Sequence, residues 1–153
     1  MTRKSGSKSL KRSKAPNFWT ISVKSNKFIS KPMPGPHKSS ESYSLLVLIR
    51  DILKLTNNSR ESSSILNGGQ VFVDGTIRKN ERFPVGLMDV IGFPKINEYY
   101  RLLPRTNSIL APISMPENEK SLKLCKITSK LNVNGGKTQY SLHDGRSIVV
   151  DES

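Results

Sequence analysis

Apolar positions recur at helical spacing over residues 43–55. Leu45, Leu48, Ile49, Ile52 and Leu55 form one stripe, and Leu46 and Leu53 widen it. The spacing predicts a well-buried helix. Val47, Ile49 and Ile52 are β-branched and lower helix propensity, so packing must hold it. TNNS breaks the pattern. Asn58 then suits an N-cap, with Glu61 placed three residues later to reach back in a capping box. Ile65 and Leu66 turn inward on this second helix, and Gly68-Gly69 ends it where positive φ is tolerated.

The period then changes from helical to alternating. Val71 and Val73 point one way; Gln70, Phe72 and Asp74 point the other. Asp74-Gly75 is a hairpin signal, and TIRKNERF is the return segment. Pro84 and Gly86 break that strand, and Leu87, Met88, Val90 and Ile91 supply a short apolar one. Further on, a strand is expected over 108–113 between Pro104 and Pro116. SLKLCKITSKLNVN alternates with mixed faces, NGG at 134–136 and HDG at 143–145 mark turns, and SIVVD closes a strand-rich half. Cys125 reads as a small hydrophobe filling a core position. The expected fold is α+β and multidomain. It has a basic extended arm over 1–42, a helix–helix–hairpin module over 43–100 and a β-rich, barrel-like domain over 101–153.

Charge adds a second layer. The chain has 153 residues and a formal charge of +13. Residues 1–40 carry ten Lys or Arg and no acid; residues 41–100 carry seven of each; residues 101–153 carry eight basic and five acidic residues. The excess is therefore mostly an arm. Such an arm suits a polyphosphate, whose condensed counterions are released on neutralisation. Residues 1–14 have almost nothing apolar to bury and are expected to order only on RNA. Arg3, Lys4, Lys8, Lys11, Arg12 and Lys14 are the candidate phosphate contacts there. Phe18 and Trp19 have two readings: docking the segment onto the globular part, or stacking on unpaired bases. Pro32, Pro34 and Pro36 stiffen the connector, and His37 reads as structural or RNA-contacting.

Within the middle module, Lys54 and Arg60 flank the corner between the helices, and Arg78, Lys79 and Arg82 lie near the hairpin. The corner is read as an RNA-facing edge, against the alternative of an ordinary solvated turn. Lys123, Lys126, Lys130, Lys137 and Arg146 are either further contacts or scattered solubilising charge.

Other chemistries find little support. The single cysteine allows no intrachain disulfide and no Cys-rich metal site. His143-Asp144 are adjacent, which does not make one the orienter of the other, and neither Gly-Gly pair precedes a Lys-Ser/Thr phosphate-loop motif. No cofactor, metal or catalytic residue is expected. No apolar run reaches the length of a membrane span, and the N-terminus lacks a signal-peptide core.

The stretch SLLVLIRDILKLTNNSRESSSILNGGQVFVDGTIRKNERFPVGLMDVI resembles the RNA-binding module of ribosomal small-subunit protein four of the archaeal and eukaryotic type. KRSKAPNFWTI, KPMPGPHKSSES and YYRLLP resemble the N-terminal half of that family, and SLKLCKI and LHDGRSIVVD its later part. The likeness covers most of residues 8–151 and is nearer the archaeal pattern. It implies a structural component of the small ribosomal subunit, with small-subunit ribosomal RNA and neighbouring ribosomal proteins as partners, in the cytoplasm. It also implies that Arg60 presents its charge to RNA from the second helix, Gly75 sits at the hairpin turn, and Gly86 and Asp89 form the closing turn and strand. Two residues depart from the pattern: Ser44 stands where Pro is usual, and Ser62 where a small apolar residue is usual. Members of the family usually continue into a further small β-rich domain, so on the resemblance either the sequence stops short of that domain or this version has lost it. A free-standing RNA chaperone or translation regulator is the alternative function.

Overall fold

The computed structural model describes residues 9–22, 24, 26–106 and 108–151. From residue 9 the basic N-terminal segment is folded onto the core, not extended from it. β1 (Ser9–Lys11) pairs antiparallel with β2 (Phe28–Ser30), with Leu10 opposite Ile29. Phe18, Trp19, Ile21 and Ile29 are buried in the main core. The Trp19 indole donates to the Ser42 carbonyl at 3.1 Å. The Phe18 ring meets Tyr43 edge-on at 5.1 Å between centroids. The Tyr43 hydroxyl reaches the carbonyls of Phe18 at 3.2 Å and Leu110 at 2.9 Å. Of the two readings of Phe18 and Trp19, docking is the one observed. A Trp that is 2% exposed offers no ring face to a base.

β3 (Tyr43–Ser44) pairs with β6 (Pro84–Val85) and leads into α1 (Leu45–Val47). The Ser44 hydroxyl accepts from Val47 N–H at 3.4 Å, so the departure from Pro supplies a cap. The buried helix expected over 43–55 forms as a shorter continuous run over 45–52. α1 widens at once into a π-helical turn (Leu48–Ile52), where Leu53 N–H donates to the Leu48 carbonyl at 2.8 Å. Lys54, at φ 55°, ends it. Leu45, Leu46, Val47, Leu48 and Ile49 are all buried, so packing holds this crowded β-branched stretch in place.

α2 (Ser59–Asn67) starts as expected: the Asn58 side chain accepts from Glu61 N–H at 2.9 Å. The Glu61 carboxylate reaches one residue further than a capping box, accepting from Asn57 N–H at 2.9 Å. Ser62 is fully buried, and its hydroxyl meets that of Thr56 at 2.7 Å. The second departure from the family pattern is thereby satisfied internally. Gly69, at φ 66°, closes the helix.

A five-stranded antiparallel sheet follows, in the order β5 (Thr76–Ile77), β4 (Phe72–Val73), β7 (Val90–Phe93), β8 (Glu98–Arg105) and β9 (Ser108–Ser114). Asp74 and Gly75, at φ 49° and 75°, make the hairpin turn between β4 and β5. β8 runs through residue 100, so one sheet spans the expected boundary between the module and the β-rich half. The remaining strands, β10 (Ile127–Val133), β11 (Lys137–Leu142) and β12 (Ser147–Asp151), form a separate three-stranded meander. The protein is thus α+β, but among the described residues its β-rich half is two open sheets and not a closed barrel. No helix of the described residues is long and apolar enough to cross a membrane.

Candidate nucleic-acid interface

Two adjoining surface grooves meet beside the corner between α1 and α2. One is lined by Arg50, Lys54 and the turn Thr56–Ser59; the other by Phe28, Lys31, Glu81 and Arg82. Asn26, Arg50 and Ser59 line both. The Arg50 guanidinium is fixed in place: it grips the Asp51 carboxylate at 2.9 and 2.8 Å and donates to the Ser59 hydroxyl at 2.6 Å. Arg82 is fixed from the other side, its Nε donating to the Lys31 carbonyl at 2.9 Å. A π-turn, a helix start and a hairpin return thus converge on one polar trough with cations along it.

The structure places the expected contact residues unevenly. Lys54 and Arg82 line the two joined grooves, and Arg60 is exposed on the first turn of α2 beside Ser59. Lys11 and Lys14 are exposed at β1 and the short turn after it. Lys79 is exposed and flanks Gly69 at the end of α2. Arg12 and Arg78 are drawn into the fold. Arg12 donates to the Ile21 carbonyl at 2.5 Å, and the Arg78 guanidinium lies over the Phe83 ring at 4.4 Å. Arg3, Lys4 and Lys8 lie outside the described residues. Sequence reasoning missed Arg50, Asn26 and Lys31 as groove residues. Arg50 sits off the apolar stripe of 43–55, a usable signal; nothing local marks Asn26 or Lys31.

A buried ionic cluster lies on another side of the module. Lys123 Nζ is 2.6 Å from both Asp74 and Asp89 and 3.1 Å from Asp144. Arg146 bridges Asp144 at 3.0 Å and also pairs with Asp74. His37 Nε2 meets the Asp89 carboxylate at 2.9 Å, and Asp89 accepts from Gly86 N–H at 2.9 Å. Burial alone would raise the Asp89 carboxyl, but His37 and Lys123 together hold it below its ordinary range. Burial likewise opposes the Asp144 charge, and Lys123 and Arg146 outweigh it. Burial also opposes the Lys123 charge, yet Asp89 and Asp74 push its ammonium well above the usual lysine value.

Lys123, read as either an RNA contact or solubilising charge, is therefore an internal tie, while Arg146 pairs with the same carboxylates from a side chain that is 52% exposed. The alternating strand expected from Ser121 begins only at Ile127, because the segment before it carries Lys123 into the carboxylates. Cys125 is not in the core. It is half-buried, its thiol 3.9 Å from Asp144, and burial followed by that carboxylate pushes the thiol up. Among the described residues, no group of three or more His, Cys, Asp and Glu side chains is placed to hold a metal ion.

Comparison with known proteins agrees with this architecture. Residues 96–153 match the family model Ribosomal family S4e, and residues 4–40 match the RS4NT (NUC023) domain. The small ribosomal subunit protein eS4 of Methanothermobacter thermautotrophicus is 47% identical over 147 residues, covering 95% of this chain and 60% of the relative. Its counterpart in Methanocaldococcus jannaschii is 46% identical over 155 residues, covering 100% of this chain and 62% of the relative. The crystal structure of the 30S ribosomal protein S4e from Thermoplasma acidophilum superimposes with a TM-score of 0.61 at 37% identity, covering 74% of this chain and 58% of that one. The chain spans about three-fifths of the length of the curated relatives it matches. With sequence identity running through nearly all of its length and a matching fold, this chain belongs to the S4e family of ribosomal proteins.

Proposed function

We propose that this protein is a structural component of the small ribosomal subunit that binds ribosomal RNA. The observation that carries this reading is its 47% identity, over 95% of its length, to a protein named for that subunit. The surface supports it: a net charge of +13, with Lys54, Arg60 and Arg82 along or beside the joined grooves and Lys11 and Lys14 exposed on the N-terminal segment. On this reading the helix corner seats phosphates and Arg82 anchors the groove from its far side. Lys79 and the basic residues Arg3, Lys4 and Lys8 add contacts beyond it. On this reading the basic segment before residue 43 and the unit over 43–100 carry the RNA contacts, and the β-rich part after it shares its first sheet with that unit. The partners are small-subunit ribosomal RNA and adjoining ribosomal proteins, and the place of action is the cytoplasmic ribosome.

The test is sedimentation of the tagged protein expressed in an archaeal host. Co-migration with small subunits through moderate salt is expected. Recovery with messenger RNA alone would overturn the ribosomal reading in favour of a free-standing regulator. Salt dependence by itself does not separate the two, since both release counterions.

A further inference from the structure

A second hollow lies between the Pro36–Lys38 segment, the turn at Leu87 and Met88, and the chain from Leu124 to Thr128. Its walls are mostly apolar: Leu87, Met88, Leu124 and Cys125, with the His37 and His143 rings 6.0 Å apart at its side. Leu124 is 71% exposed and Leu87 38%. Lys38 and Lys126 stand on the rim, with Glu41 the one acid there.

The hollow is rigidly built. Lys123, one residue before Leu124, is held by three carboxylates. On the other side, Lys126 N–H donates to His143 Nδ1 at 3.1 Å, and His143 N–H donates back to the Lys126 carbonyl at 3.0 Å. His143 Nε2 lies 3.3 Å from the Leu87 carbonyl. With Nδ1 accepting, Nε2 carries the proton and donates to Leu87. The imidazole thus ties the Leu87–Met88 wall to the Lys126 wall. Apolar side chains held open to solvent on a fixed frame mark a contact site rather than loose packing.

We propose that this hollow receives an unpaired nucleotide of the bound RNA, its base against Leu124, Met88 and the His143 imidazole and its phosphates on Lys38 and Lys126. Charge complementarity selects this occupant. A nucleotide is a flat, largely apolar ring joined to an anion, which matches an apolar hollow with a net basic rim. A paired duplex buries its base faces and offers nothing to the hollow. The inference rests on the protein binding ribosomal RNA at all.

Cys125 is the only cysteine and forms part of the wall, so its alkylation by N-ethylmaleimide reports occupancy. The full chain is alkylated free, saturated with small-subunit ribosomal RNA, and saturated with a fully paired RNA duplex. Binding is followed in parallel by filter retention. Ribosomal RNA is expected to slow the reaction about tenfold or more, and the duplex to leave it unchanged. Leu124→Ser, at a solvent-facing position, is expected to keep the fold and lose most of the protection. Bound ribosomal RNA without protection overturns the proposal and leaves the RNA-binding function standing. Equal protection by the duplex overturns it too, as does protection seen only in assembled subunits, which would assign the hollow to a neighbouring protein. Failure of ribosomal RNA to bind removes the functional reading and this inference together.

Discussion

Lys123 Nζ sits 2.6 Å from Asp89 Oδ1, joining the chain just before the three-stranded meander to the closing turn of the helix–hairpin module. Asp89 is almost fully buried, and Asp74 and Asp144 complete the coordination of the ammonium. Removing the cation leaves three carboxylates sharing a low-dielectric site. Lys123→Met is expected to lower unfolding stability by about 3 kcal/mol, read as a shift in the urea midpoint. A midpoint like that of the parent protein would show the cluster to be solvated in solution.

The same cluster fixes the acid response. The Asp89 and Asp144 carboxyls are held below their ordinary value of 3.8 in the folded state. Groups depressed in this way contribute stability that is present above 3.8 and is lost as pH falls through their lower folded values. Urea midpoints are therefore expected to be flat above about pH 5 and to drop steeply between about pH 4 and pH 2. Asp89→Asn is expected to lower the plateau and flatten the acid limb. An unchanged limb in that variant would remove Asp89 from the explanation.

Gly86 and Gly75 are expected to respond differently to alanine. At Gly75, φ is 75° and no atom lies near an added methyl, so only backbone strain of about 1 kcal/mol is expected. At Gly86 the methyl would lie 2.4 Å from His37 Cγ, and Asp89 pins that imidazole. Gly86→Ala is expected to cost about 2–3 kcal/mol by thermal unfolding, clearly more than Gly75→Ala. The reverse order would contradict the His37 packing.

Trp19 is the single tryptophan and lies in the core. Its emission is expected to be blue-shifted in the native protein and to red-shift together with the loss of far-ultraviolet circular dichroism. Trp19→Ala is expected to cost about 3–5 kcal/mol. A fluorescence transition well before the circular-dichroism transition would show the N-terminal segment detaching on its own.

For RNA, Lys54→Gln, Arg60→Gln and Arg82→Gln together are expected to reduce the salt slope of ribosomal RNA binding by about 2–3. Arg82 also donates to the Lys31 carbonyl, so part of its effect is a stability loss, which unfolding of the single variant separates. A folded triple variant with the parent slope would take the groove out of the interface.

Local rules made several elements legible. Asn58, Gly68-Gly69, Asp74-Gly75 and NGG each adopt the cap or turn expected of them, because those conformations depend on one or two residues and their nearest hydrogen bonds. The family resemblance was legible for the same reason: VDG and FPVGLMDVI are contiguous strings. What depended on residues far apart was not. The stripe over 43–55 announces a buried helix, but nothing in its spacing shows that residues 48–52 wind as a π-turn. The charged side chains divided in a way composition does not reveal. Lys54, Arg60 and Lys79 face outward, whereas Lys123 turns inward to carboxylates that lie up to 49 residues away in sequence. A lysine's identity fixes its charge. Whether that charge meets solvent, a phosphate or a buried aspartate is set by which distant segments the fold brings beside it, since the free energy of an ion depends on its surroundings far more than on its own chemistry.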